Sequence, residues 1–289
     1  MSLFRAYYNL AKPGIVRSNV LSAIAGYFFA SSLESSLWDI MWCALGFAAI
    51  IASACAANNI LERKSDAKME RTKTRELPSG RIDVKSAFTF VLVTFVLGMG
   101  ILLWTLTPIV SLLALGLFVS YVCIYTPAKS KTVLSTWFGT IPGALSLLAG
   151  YAAATGTIAA WDALLLFVVM AVWQMAHFYS IAIFRRNDYR TARLPVHPNV
   201  YGMRRTVGAI RLFSLTFVVA NILLCSVGSA TIGYGALMTV ASAYWAWQCY
   251  KTPAPPETWA RRQFRVSLGV LLLMCGALAG DGIVRALWL

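Results

Sequence analysis

Nine apolar runs, each close to the length of a bilayer crossing, constrain this chain more than any other feature. They span about 15–33, 38–60, 86–106, 108–126, 134–155, 161–184, 208–228, 230–249 and 266–288. A membrane helix needs about 20 mostly apolar residues to cross the hydrocarbon. In that solvent every backbone polar group must bond internally, which leaves only helices and closed barrels. These runs are continuous, not alternating, so the expected fold class is all-α. The chain reads as a polytopic membrane helical bundle of nine transmembrane helices, one integral-membrane unit over 1–289. Composition agrees, with 59% hydrophobic and 12% charged residues. A soluble domain carries about 25% charge, and a disordered chain would lack this apolar content. The first residues, MSLFRAYYNLAKPG, have no short apolar core or cleavage site of a secretory leader.

The basic residues set an orientation. There are 25 Lys and Arg against 11 Asp and Glu, a net charge of +14. Arg5, Lys12 and Arg17 flank the start of the first run, and eight basic residues from Arg63 to Lys85 follow the second. Lys129 and Lys131 follow the fourth, seven from Arg185 to Arg211 surround the sixth-to-seventh connection, and Lys251, Arg261, Arg262 and Arg265 follow the eighth. Alternate connections thus hold 24 of the 25, with Arg285 left on the other face. The positive-inside rule then puts the N-terminus in the cytoplasm and the C-terminus outside a bacterial plasma (inner) membrane. An even number of crossings would break that alternation. Nucleic acid is excluded as a partner, because binding it needs accessible basic grooves with interleaved aromatics.

The six cysteines form no CxxC pair and lie in or at the ends of apolar stretches, so they read as packing residues. Trp38, Trp42, Trp161, Tyr244, Trp245 and Trp288 fit anchoring at the membrane interface. Asp281 and Arg285 stand four apart and read as a helix-face pair. The Pro-rich stretch 252–258 reads as a turn.

Chemistry concentrates after the second run. Asn58, Glu62, Asp66 and Glu70 recur every four residues, which places them on one helix face. Two carboxylates and an amide oxygen one turn apart suit Mg²⁺, a hard cation that completes its shell with water and phosphate oxygens. The same spacing also suits a solvated helix end with pairs such as Arg63–Asp66 or Glu70–Lys73.

Asn58-x-x-x-Glu62-x-x-x-Asp66 resembles the first acidic motif of the UbiA superfamily of intramembrane prenyltransferases, N-x-x-x-D-x-x-x-D. The longer string from Asn58-Asn59 through Arg63, Asp66, Lys68-Met69-Glu70-Arg71-Thr72, Arg75 and Leu77 to Gly80 resembles the protohaem IX farnesyltransferase branch. Two further blocks resemble it: Tyr125-Thr126-Pro127 to Gly143-Ala144, and Trp173-Gln174-Met175-Ala176-His177 to Asp188-Tyr189. Lys12-Pro13 and Asn19 fit as well. Glu62 replaces the usual Asp, and Lys64 stands where another Asp is common.

The resemblance implies that the farnesyl group of farnesyl diphosphate is joined to a vinyl group of haem B, giving haem O and pyrophosphate. It implies Mg²⁺ on Asn58, Glu62 and Asp66, with Lys129 and Arg75 stabilising the departing pyrophosphate. Asn19, Arg71, Tyr125, Lys131, His177, Arg185 and Asp188 are then the expected substrate-binding residues. Asp188 either assists a metal or pairs with an arginine. His177 either contacts haem, through iron or propionate, or is a hydrogen-bonded helix contact, while His197 reads as structural or exposed. Membrane lipid and proteins of haem synthesis or terminal-oxidase assembly are the expected partners. Two alternatives stay open: a related prenyltransferase acting on a quinone precursor or chlorophyllide, and a haem carrier or transporter.

Overall fold

The computed structural model describes residues 2–32, 35–251 and 255–288. All its elements are helical: α1 (Leu3–Leu10), α2 (Pro13–Ala30), α3 (Leu37–Asp66), α4 (Val84–Thr105), α5 (Pro108–Val119), a π-helical turn (Ser120–Tyr125), α6 (Thr126–Ala128), α7 (Ser135–Thr155), α8 (Trp161–Phe184), α9 (Arg186–Thr191), α10 (His197–Val200), α11 (Gly202–Ser226), α12 (Ile232–Tyr250) and α13 (Pro256–Trp288). Their ends follow local chemistry. Pro13 and Pro108 open α2 and α5, where a missing N–H costs nothing. Asp83 caps α4 by accepting from the Ser86 amide at 2.9 Å. Gly156 closes α7 at φ +73°.

Counting α5 to α6 as one rod, the long helices occupy the nine apolar runs. Six are long and apolar enough to cross a membrane: α3, α4, Pro108–Ala128, α8, α11 and α13. α2, α7 and α12 fall outside that set, being richer in Gly, Ser, Thr and other polar residues. The expected count of nine is therefore matched in helices but not in membrane-competent spans. Outward faces are apolar, as in α4, where Phe88, Leu92, Val96, Leu103 and Trp104 are exposed.

α2, α3, α5, α7, α8 and α13 surround the centre, while α4 lies against α3, and α11 against α8 and α12. The tightest seam is α2 on α7. A Cβ on Gly26 would lie 2.0 Å from the Leu147 carbonyl oxygen, and one on Gly150 1.7 Å from that of Ala23. Only glycine permits that approach.

Two expectations need adjusting. Trp245 is fully buried against Phe217, because α12 turns this side chain inward, so it anchors nothing at an interface. Trp38, Trp161 and Trp288 are exposed, as anchoring requires. Residues 252–254 of the expected turn lie outside the described residues, and α13 begins at Pro256, ten residues before its apolar run. Asp281 and Arg285 do pair, at 3.0 Å, and all six cysteines are free.

Candidate active site

α3 has 30 residues, about 45 Å at 1.5 Å each. The hydrocarbon is about 30 Å thick, so the last turns of α3 project past it. Those turns carry Asn58, Glu62 and Asp66, all buried against the protein. They meet bases from three other segments. Glu62 takes the Lys129 ammonium at 2.9 Å, and Asp66 takes the Arg75 guanidinium at 2.8 Å. Asn58 accepts from Lys12 through Oδ1 and donates to Thr126 Oγ1 at 2.9 Å. Lys129 sits beyond α6, Arg75 on the loop after α3, and Lys12 between α1 and α2.

The local backbone explains these approaches. Lys12 has φ +52° and ψ +68°, a left-handed conformation strained for a side chain that precedes proline. That turn joins α1 to α2 while delivering the ammonium to Asn58. Its surroundings depress its charge: burial pushes the Lys12 pKa down to about 8. Lys129 goes the other way. Burial opposes its charge, but Glu62 and the neighbouring tyrosines outweigh that and raise its pKa. On the other wall, the π-turn lets Thr126 Oγ1 donate to the Tyr121 carbonyl at 2.8 Å. Such turns gather at functional sites, and this one stacks Tyr121 on Tyr125 at 5.4 Å.

Beside this charged floor lies a cavity of about 510 Å³, whose lining residues Gly14, Cys55 and Tyr125 stand a few residues from Lys12, Asn58 and Lys129 in the chain. Its lining is largely apolar, with Ile51, Leu117, Met170 and Leu271 beside the rings of Tyr121, Tyr125, Trp173 and Phe264. His177, from α8, is buried at the wall. Next to Phe264 of that lining, Phe184 lies at 5.5 Å, and at this mouth-side ring Arg185 and Arg261 both sit over Phe184, at 5.3 and 5.4 Å. Arg71 is exposed nearby. Partial desolvation of its guanidinium and the like charges of Arg75 and Arg185 lower its pKa, so these three cations lie near one another.

The expected site residues divide accordingly. Asn58, Glu62, Asp66, Arg75 and Lys129 come together as one cluster. Tyr125, Asn19 and His177 line the cavity. Asn19, however, spends its amide on helix packing, accepting from Ser146 at 2.9 Å and donating to the Ile15 carbonyl at 2.8 Å. Asp188 pairs with Arg185 at 3.8 Å. Lys131 is exposed and has no partner among the described residues. Glu70 pairs with Lys73 at 2.7 Å, as a solvated face would, whereas Asp66 chooses Arg75 over Arg63 because the loop folds back. His197 is structural, bonded to Thr206 Oγ1 at 2.8 Å. Lys12 and Arg261 are not among the expected site residues, although Lys12-Pro13 belongs to the resembled pattern. Only the basic residue directly before Pro13 gave any signal.

The donor set suits a hard cation. Glu62 Oε2 and Asp66 Oδ1 have no partner among the described residues, yet neither is sealed from access. Two carboxylate oxygens and the Asn58 amide would supply one side of an octahedral shell.

Comparison with known proteins agrees with this architecture. The UbiA prenyltransferase family model matches residues 19–269. The chain is 36% identical to the protoheme IX farnesyltransferase of Aliivibrio salmonicida over 270 residues, 92% of this chain and 93% of that one. It is 34% identical over 289 residues to protoheme IX farnesyltransferase 2 of Vibrio parahaemolyticus, 99% of this chain and 100% of that one. A digeranylgeranylglyceryl phosphate synthase structure superposes with TM-score 0.80 at 15% identity, over 98% of this chain and 99% of the other. A UbiA homologue from Archaeoglobus fulgidus bound to GPP and Mg²⁺ gives TM-score 0.74 at 16% identity, over 95% and 99%. These last two likenesses are of fold. The family match and the close relatives settle the class: the chain is a membrane enzyme belonging to the UbiA prenyltransferase family.

Proposed function

We propose that this enzyme transfers a farnesyl group from farnesyl diphosphate to a vinyl carbon of haem B, forming haem O and pyrophosphate. The observation that carries it is a paired acid–base floor, Asn58, Glu62 and Asp66 with Lys12, Lys129 and Arg75, next to a mostly apolar cavity of about 510 Å³. A ligand with a charged diphosphate head and a long apolar tail fits both parts. The names of the close relatives supply the acceptor.

Asn58, Glu62 and Asp66 would hold Mg²⁺, which when bound neutralises the diphosphate and promotes C–O cleavage. The bases are already in place on the same carboxylates. Once phosphate oxygens arrive, Lys129 and Arg75 can exchange carboxylate for phosphate, and Lys12 can exchange the Asn58 amide oxygen for phosphate, stabilising the anion as it departs. Arg71 and the exposed Lys131 lie on the entry side. The allylic carbon left behind carries positive charge, which the stacked Tyr121–Tyr125 rings at the cavity wall can stabilise. The apolar walls delay water until the vinyl group attacks. Water then adds its oxygen to the resulting cation and releases a proton, giving the hydroxyethylfarnesyl group. Arg185 and Arg261 suit the two acidic side chains of such an acceptor, with Asp188 orienting Arg185.

The alternation of basic connections supports nine crossings of the bacterial inner membrane, with the N-terminus and this site facing the cytoplasm. Lipid then surrounds the apolar outer faces, and proteins of haem synthesis or terminal-oxidase assembly are reasonable neighbours.

The test is product mass. Membranes holding the protein are incubated with haem B, farnesyl diphosphate and Mg²⁺, and extracted haems are analysed by chromatography with mass detection. A haem heavier by a farnesyl and a hydroxyl group, absent with Asp66→Ala, is expected. Unchanged haem with folded protein would overturn the reading.

A further inference from the structure

His177 offers more than a polar group in a cavity wall, because its neighbours fix its protonation. Its Nδ1 lies 2.7 Å from Ser267 Oγ on α13. Ser267 Oγ is also 2.7 Å from the Phe264 carbonyl, which can only accept. The single hydroxyl proton therefore goes to that carbonyl, and the serine oxygen must accept from His177. Nδ1 carries the imidazole proton, and Nε2 is left with a lone pair.

The ring is held rigidly in that state. Trp173, one turn earlier on α8, donates Nε1 to the Ser267 carbonyl at 2.9 Å, so both residues lock onto the same point of α13. Trp173 stacks on the imidazole at 4.7 Å and 20°, and Phe264 covers it at 4.8 Å. With both faces of the ring occupied, the in-plane lone pair is its useful approach. Nε2 has no partner among the described residues, yet it is not sealed off, and His177 lines the cavity. An imidazole whose other N–H is tied down, with Nε2 free, is the usual arrangement of a metal-ligating histidine. It is also unable to donate to a carboxylate, which removes propionate binding from its roles.

The porphyrin's polar edge has its own place. From His177 the aromatic contacts run to Phe264 and then to Phe184 at 5.5 Å, and Arg185 and Arg261 lie over Phe184. A flat acceptor lying across the Nε2 side of this column would meet a nitrogen lone pair at its centre and two guanidinium groups at one edge.

Building on the haem-acceptor reading above, we propose that His177 Nε2 is the axial ligand to the acceptor's iron and that this bond makes the site selective for metallated over metal-free porphyrin. A metal-free ring has no electrophile for the lone pair. In reaction order, metal insertion must then precede prenylation.

The test uses full-length protein in detergent or lipid nanodiscs. Haem B is titrated into wild-type protein, His177→Gly and Ser267→Ala, with absorption and resonance Raman spectra recorded. Turnover is measured with haem B, zinc protoporphyrin and metal-free protoporphyrin. Wild type should give an iron–imidazole spectrum and prefer the metallated acceptors at least tenfold. His177→Gly should lose that spectrum and that preference, and added imidazole should restore both, which a structural role could not do. Ser267→Ala should keep the ligand but weaken haem binding by about tenfold, the lower end for loss of an outer hydrogen bond. An unchanged iron–imidazole spectrum in His177→Gly, or equal turnover of metal-free porphyrin by wild type, would overturn the proposal while leaving haem farnesylation standing. Wild-type protein that binds no haem would overturn both.

Discussion

Glu62 and Lys129 show how much one buried pair can carry. At 2.9 Å, with side chains 10% and 18% exposed, neither partner is readily solvated alone. Removing one partner of a buried pair typically costs about 3–5 kcal/mol, whereas removing both is often near neutral. Glu62→Gln and Lys129→Met should each lower the thermal midpoint, and the double variant should melt above either one. A double variant as unstable as the sum would mean the two residues act independently. Activity should separate differently. Glu62→Asp restores the residue more usual in the resembled motif and should keep Mg²⁺-dependent turnover, while Glu62→Gln should lose it. Lys12 belongs at this scale too. Lys12→Met should raise the KM for farnesyl diphosphate at least tenfold while leaving porphyrin binding unchanged, read by product formation and haem titration. The acids were legible in the sequence because a four-residue spacing is a local property of one helix. Their partners were legible only as a nearby surplus of bases. Which base meets which acid depends on the left-handed turn at Lys12 and the return of the loop to Arg75, and neither has a periodic signature.

At the scale of helices, apolar runs located every long rod but not where it ends: the four-residue spacing carries the helix past the second run, yet it stops at Asp66, short of Glu70, and no signal marked the extension of the ninth. The second run ends near 60, while α3 continues to Asp66. The ninth starts near 266, while α13 starts at Pro256. In both cases the helix outlasts the membrane, and hydropathy reports only the membrane. The π-turn at Ser120–Tyr125 was equally invisible, since a shift in hydrogen-bond register leaves composition unchanged. Close helix contact was invisible as well, because a glycine in an apolar run looks the same whether or not a neighbour presses on it. Gly150→Ala should therefore collapse the α2–α7 seam, since its Cβ would fall 1.7 Å from a backbone oxygen that cannot swing away. Gly276→Ala, in the same kind of apolar helix, meets nothing within 4 Å. It should be tolerated and gain about 0.5–1 kcal/mol from helix propensity. Thermal melting in detergent distinguishes the two. Equal behaviour would mean that the seam is looser than the distances require.

For the whole molecule, charge and hydropathy make a joint claim that neither makes alone. Six helices satisfy length and apolarity by themselves, and α2, α7 and α12 do not. Yet removing any one of the three as a crossing would reverse every later connection and scatter basic residues over both faces. α2 and α7 can be less apolar because much of their surface is turned to neighbours and to the cavity, not to lipid. The glycine contacts between them account for part of that composition. α12 has no such cover on all sides, for Leu237, Val240, Tyr244 and Trp247 are exposed, and it is the weakest of the nine. The expected outcome is that a reporter fused after Lys85 signals a cytoplasmic position, while one fused after Leu289 signals an external position. Truncated fusions ending after Val227 and after Lys251 bracket α12 and should report opposite faces. If both report the same face, α12 does not cross, the C-terminus lies in the cytoplasm, and the basic residues of α13 sit opposite the catalytic floor. Arg261 could then no longer share the mouth with Arg185, so the topology experiment also tests the acceptor site.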